Sequence, residues 1–181
     1  MAVTLPVDDK QNDFQSFLKE YFNSILGVIC FSKRWSDPVM WSHYADEHRG
    51  IALGFDINDE HAYCVRYEQE RLARSYSFTD EIPSEEFIIE SITTKFKSWE
   101  YEQEVRMMVK LETECNRVWI PKEEKDVFFF TFCDELILKE VILGPCCDKN
   151  IVDIRDIVDD SVNVIAAELS DTEFQVRDKK L

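Results

Sequence analysis

The chain has 181 residues, 45% of them hydrophobic and 13% aromatic, which supplies enough apolar surface for a substantial core and excludes a largely disordered protein. Its 37 acidic residues against 21 basic ones give a net charge of −16, a field that repels phosphate backbones and anionic membranes and attracts a basic partner. General nucleic-acid binding is thereby disfavoured, although Lys95 with Lys97, or Lys33 with Arg34, are cations that could line a local positive pocket.

The opening MAVTLPVDDKQND lacks the basic stretch, apolar core and small-residue cleavage site of a secretory signal, and no apolar run reaches membrane-spanning length. A cytoplasmic protein without a membrane segment is expected. Phe14, Phe17, Leu18, Tyr21, Phe22, Ile25 and Leu26 recur at helical offsets, so the spacing predicts an amphipathic helix over 10–26, with Gly27 as its stop. A short buried strand over 28–32 and a loop over 33–37 follow. Asp37-Pro38 starts a short helix that is expected to span 40–47 and end near Gly50, because aspartate accepts from free backbone N–H groups and proline suits the first helical position.

Strands are predicted over 51–56 and 63–67, joined by a polar Asn-Asp-Glu-His turn. Ser84, Glu85 and Glu86 open a long helix striped by Ile88, Ile92, Phe96 and Trp99. From 104 to 112 the chain alternates, with Val105, Met107, Val109 and Leu111 on one face of a half-buried strand. Further strands are expected over 127–132, 136–143 and 162–168, and a helix over 150–158. Without an internal repeat, low-complexity tract or linker, residues 1–181 read as a single domain: an N-terminal helix through 27, a core over 28–170 and a frayed tail over 178–181. The elements mix without strict βαβ alternation, so the fold class is α+β, with a mixed or mostly antiparallel sheet flanked by helices.

The six cysteines form no C-x-x-C pair and sit in apolar surroundings, which reads as reduced core thiols. Adjacent Cys146 and Cys147 are poorly placed to chelate one tetrahedral ion together. His43 and His48, five apart and outside any H-E-x-x-H pattern, are equally poor joint ligands, and no metal site is expected.

Two constellations remain. The first gathers Trp41, His43, Tyr44 and His48 on or after the short helix, near Ser32 and Arg49; Tyr44 and His48 share a face if the helix lasts that long. Its plain alternative is that Trp41 and Tyr44 are core and the histidines bond locally. The second is Trp99 to Arg106. If a strand begins by Glu102, then Glu102, Glu104 and Arg106 point one way, two carboxylates and a guanidinium suited to acid–base or cation-stabilising work. Its alternative is a solvated charged strand face. Four glycines leave no Rossmann fingerprint or P-loop, no G-x-S-x-G elbow occurs, and the run Phe128 to Phe130 fits a core strand better than a base-stacking platform.

CFS at 30–32, MWSHYADEHRGIALGFD at 40–56, WEYEQEVRM at 99–107 and LKEVILGP at 138–145 together resemble the bacterial family of domain of unknown function 2971. The resemblance implies a component of phage-defence or toxin-type loci, with similarity to the ADP-ribosyltransferase fold. There a Glu-x-Glu pair near a strand start serves the reaction, one glutamate binding a ribose hydroxyl of NAD and its neighbour helping to activate the acceptor. Glu102-Gln103-Glu104 has that spacing. Carried over, Glu104 steadies the ribose cation, Glu102 activates the acceptor with Arg106 beside them, Tyr44 or Trp41 stacks on nicotinamide, and Ser32 or His43 hydrogen-bonds the cofactor.

One departure stands against this. The family's YKYR segment and FNDPFD-like run do not occur before Cys30, which implies a shortened form that is either non-catalytic or completed by a complementary subunit. The rival expectation is accordingly a non-catalytic acidic module, an antitoxin or inhibitor that holds a basic protein partner.

Overall fold

The computed structural model describes residues 23–70 and 84–179. The expected helix over 10–26 lies outside the described residues except for its last turn at 23–25, as does the end of the tail at 180–181. The described residues form two compact units, one of 23–29 with 107–131 and a larger one of 30–70, 84–106 and 132–179. The class is α+β, with mixed and antiparallel sheets.

The elements of the larger unit follow from local chemistry. Strand β1 (Leu26–Ser32) begins two residues earlier than its apolar run suggests, so Gly27 is a strand residue and not a helix stop. Helix α1 (Pro38–Tyr44) starts where Asp37-Pro38 predicts, the Asp37 carboxylate accepting the Val39 N–H at 2.9 Å. It ends three residues before the expected Glu47, because Asp46, Glu47 and His48 all adopt left-handed φ (45°, 52° and 70°). Tyr44 and His48 therefore share no helical face. Arg49 holds this turn by ion pairs to Asp46 (3.1 Å) and Glu47 (3.2 Å).

Strand β2 (Ile51–Ile57) pairs antiparallel with β9 (Leu136–Leu143), β9 pairs parallel with β10 (Asn163–Leu169), and β10 pairs antiparallel with β11 (Val176–Asp178), giving a four-stranded mixed sheet in the order β11-β10-β9-β2. Val141, Ile142 and Leu143 are all buried, the mark of a strand covered on both faces. On this sheet Trp41 of α1 and Ala45, its C-terminal cap four residues on, join Ile142, Ala167 and Val176 in the core. Helix α4 (Ile151–Arg155), shorter than the expected 150–158, links β9 to β10 and opens on an Asn150–Asp153 capping box.

The predicted strand over 63–67 is two strands that change partner. Tyr63–Cys64 (β3) pairs antiparallel with β6 (Glu104–Lys110), whereas Arg66–Glu68 (β4) pairs parallel with β5 (Thr94–Phe96), the switch falling at buried Val65. Strand β6 runs between β1 and β3. Helix α2 (Glu85–Ile92) is capped by Ser84 as expected but stops at eight residues. The Thr93 and Thr94 hydroxyls donate back to the carbonyls of Ile89 (2.6 Å) and Glu90 (2.8 Å), ending the turn, so Phe96 and Trp99 lie outside the helix. A 3-10 turn (Lys97–Glu102) and left-handed Gln103 (φ 45°) then lead into β6.

In the smaller unit, Met107, Val109 and Leu111 are buried, and a Cβ on Gly27 would stand 2.9 Å from both the Val109 and Leu111 side chains. The turn α3 (Leu111–Glu114) cuts the expected strand short, and β7 (Cys115–Ile120), which periodicity missed, forms a hairpin with β8 (Lys125–Phe130). All six cysteines are free, yet none is a core residue: Cys30, Cys64, Cys133 and Cys146 are exposed, and Cys115 and Cys147 partly so. In β1 and β3 the reason is alternation, which puts a cysteine on the face opposite its apolar neighbours. No helix among the described residues is long and apolar enough to cross a membrane.

Candidate functional site

Glu102 closes the 3-10 turn and Glu104 opens β6, with left-handed Gln103 between them. The pair does not form a solvated face: the two residues are only 3% and 5% exposed. Lys95, on β5, donates its ammonium to both, contacting Glu102 Oε2 and standing 3.1 Å from Glu104 Oε2. Arg106 grips Glu104 with two N–H groups (Nε to Oε1 at 2.8 Å, Nη2 to Oε2 at 3.1 Å) and donates a third to the carbonyl of Ile92, the last residue of α2. Such a fork fixes the guanidinium in place and caps the helix end.

The Glu104 carboxyl is held at about 2: burial opposes the charge, but hydrogen bonds from Arg106, Cys30 and Lys95 outweigh it. Partial burial and the same carboxylate push the Cys30 thiol up to about 11, which keeps it protonated at neutral pH. Lys95 and Arg106 are both raised, the carboxylates overcoming the burial that would lower them. The Tyr67 hydroxyl accepts the Glu104 backbone N–H at 2.8 Å.

The rim of the cluster is aromatic. Tyr44, 62% exposed, donates its phenol to Glu102 Oε1 at 2.6 Å, and this bond, then burial, raises its pKa to about 12. The Lys95 ammonium lies over the Trp99 ring, 5.0 Å from its centroid, and Trp99 neighbours His43 (6.5 Å) and Tyr101 (6.1 Å). The Ser32 hydroxyl is directed to the backbone, on the carbonyls of Glu102 (2.7 Å) and Arg34 (2.8 Å).

Of the residues expected from sequence, Glu102, Glu104, Arg106, Tyr44 and Ser32 therefore come together, and His43 lies at the aromatic rim. Trp41 does not. It is 2% exposed in the core, its indole N–H donating to the Trp35 carbonyl, and a ring so enclosed has no face left for a ligand. His48 also lies apart, in the turn that approaches Gly144, its Nδ1 buried without a partner among the described residues. Sequence reasoning missed Cys30 and Tyr67, and marked Lys95 only as a cation of a local positive pocket. No spacing rule joins these residues to Glu104. Among the described residues no three His, Cys, Asp or Glu side chains group as metal ligands would.

The turn after α1 and the one after β9 are built on each other. Gly144 N–H donates to the Gly50 carbonyl and Cys146 N–H to the His48 carbonyl, both at 3.0 Å, so the two family-like segments meet backbone to backbone. Residues 40–107 match the family model described as Protein of unknown function (DUF2971). Over this segment the chain is similar to that family. The matched segment contains all but the first two residues of α1, and β2, both glutamates, Lys95 and Arg106, and thus most of the cluster, while Cys30 and Ser32 precede it. No curated protein and no solved structure matches the chain.

Proposed function

We propose that the chain is an NAD-using, ADP-ribosyltransferase-like protein of a bacterial phage-defence or toxin-type system. The observation that supports this best is the pairing of Glu102 with Glu104 in one buried cluster beside the exposed Tyr44 and Trp99 rings. Cleavage of the bond between nicotinamide and ribose builds positive charge on the ribose. A carboxylate held ionised in a fixed, low-dielectric setting opposes that charge without reorganising.

Glu104, with its carboxyl at about 2, suits this electrostatic role and is a poor proton acceptor at neutral pH. Glu102 is the better placed of the two to orient an acceptor, because the Tyr44 phenol at its Oε1 leads to the exposed rim. Trp99 takes the stacking role that the sequence offered to Trp41, and His43 remains beside it as a hydrogen-bonding group. The paired carboxylates and exposed rings fit a ligand that combines a cationic ring with sugar hydroxyls.

A second reading, an acidic module that holds a basic partner or complementary subunit, is favoured by one observation. Protein groups already satisfy both carboxylates, and the surface carries a net charge of −16. Calorimetric titration with NAD, followed by incubation with adenylate-labelled NAD and candidate protein and nucleic-acid acceptors, tests the first reading. Binding and label transfer by the wild type are expected. Absence of both binding and turnover would sink the enzyme reading, and a basic partner whose capture weakens as salt rises would then support the second.

A further inference from the structure

We infer that Lys95 is a displaceable occupant of a cation seat: the place its ammonium holds between Glu102 and Glu104 and over the Trp99 ring is one that a flat organic cation takes when the lysine swings out. The inference deepens the reading above and rests on it only for the identity of the natural ligand.

The two cations of the cluster are held very differently. Arg106 is fixed by a two-pronged grip on Glu104 and a third bond to the Ile92 carbonyl. Among the described residues the Lys95 ammonium pairs with the two carboxylates and lies over the ring face; Lys95 stands on a three-residue strand, and its side chain is 23% exposed. A lysine stem has four rotatable carbons and a compact charge, so it leaves toward water without unfolding its strand. Its departure leaves two buried carboxylates with a single guanidinium, one phenol and the Cys30 thiol, one positive charge against two negative, an arrangement that favours another cation.

What remains around the seat, an indole face with carboxylates beside it, is the combination that recognises flat or quaternary cations. A lysine that has swung out keeps its charge near the rim, where an anionic group of the same ligand can meet it. In a protein of charge −16 this lets a molecule with one cationic ring and one phosphate group bind through a single exchange of partners.

The test uses Lys95→Ala in the full chain and reads thermal melting with propylammonium, with 1-methylnicotinamide as a flat cation, and with neutral nicotinamide as the control. At ten times its dissociation constant, either cation is expected to raise the midpoint of the variant by about 4 °C, with no comparable rise for nicotinamide or in the wild type. A folded variant that responds alike to cations and to nicotinamide overturns the inference.

If Lys95→Ala does not fold, quenching of Trp99 fluorescence decides. Saturable quenching of the wild type by 1-methylnicotinamide, absent in Trp99→Phe and at least about tenfold weaker for nicotinamide, is expected from the carboxylates and ring together. Equal quenching by both compounds contradicts it. A cation-specific rise in Lys95→Ala without any NAD turnover by the wild type would leave the seat standing and remove the dinucleotide reading.

Discussion

Gly144→Ala isolates the contact on which the two family-like turns rest. No glycine among the four has a positive φ, so alanine suits the backbone conformation, and the whole effect comes from the space a methyl group needs. That methyl would lie 2.3 Å from the His48 carbonyl oxygen and 2.8 Å from that of Gly50. Carbon–oxygen contacts settle at about 3.3 Å, so the nearer oxygen must retreat by about 1 Å. Both obstacles are backbone, the Gly144 N–H is bonded to the Gly50 carbonyl at 3.0 Å, and the flanking Leu143 and Ile142 are core residues, so no flexible group can give way.

The cost belongs at the upper end of overpacking, about 3 kcal/mol, which for a chain of this size lowers the midpoint by about 6 to 12 °C. Gly54→Ala supplies the internal comparison, its methyl's tightest contact being the Glu140 Cβ at 3.0 Å, for which about 1 kcal/mol is expected. Urea unfolding of the two variants beside the wild type measures both values. A Gly144→Ala protein within about 0.5 kcal/mol of the wild type would refute the packing argument.

Acid stability should report on the cluster. Because the folded Glu104 carboxyl sits at about 2, below its ordinary 4.5, its contribution is full above pH 4.5 and is lost as pH falls toward 2. Unfolding free energy measured against pH should therefore drop over that window in the wild type and more shallowly in Glu104→Gln; identical slopes would count against the pairing. Trp41→Ala should destabilise by about 4 kcal/mol through lost core packing, measured by denaturant unfolding, and a loss below about 1 kcal/mol would place the indole outside the core.

Much of the fold was legible where one local cause dominates. Leu136–Leu143 is a strand over the whole predicted span because a buried central strand needs only its continuous apolar run. Asp37-Pro38 started a helix because capping is local. The long helix after Ser84 failed because Phe96 and Trp99 kept a helical spacing by chance, while the Thr93 and Thr94 hydroxyls ended the turn. Strand β7 was invisible because its pairing is with β8 and leaves Val118 and Trp119 both exposed, so no alternation marks it.

For the cluster, the Glu-x-Glu spacing and Arg106 drew attention to the right strand. Their burial and the recruitment of Lys95, Tyr67 and Cys30 depend on tertiary approach, which spacing does not encode. Trp41 misled because an aromatic beside histidine and tyrosine looks like a ligand platform, whereas its position four before Ala45 faces it into the sheet.

Release of nicotinamide measures most directly whether the buried glutamates support the proposed cleavage of NAD. Purified wild-type protein is expected to release nicotinamide from NAD in the presence of its acceptor or of water, and Glu104→Gln to lose about a hundredfold or more in rate while remaining folded. Equal rates for a folded Glu104→Gln and the wild type, or no release by either, would contradict the claim.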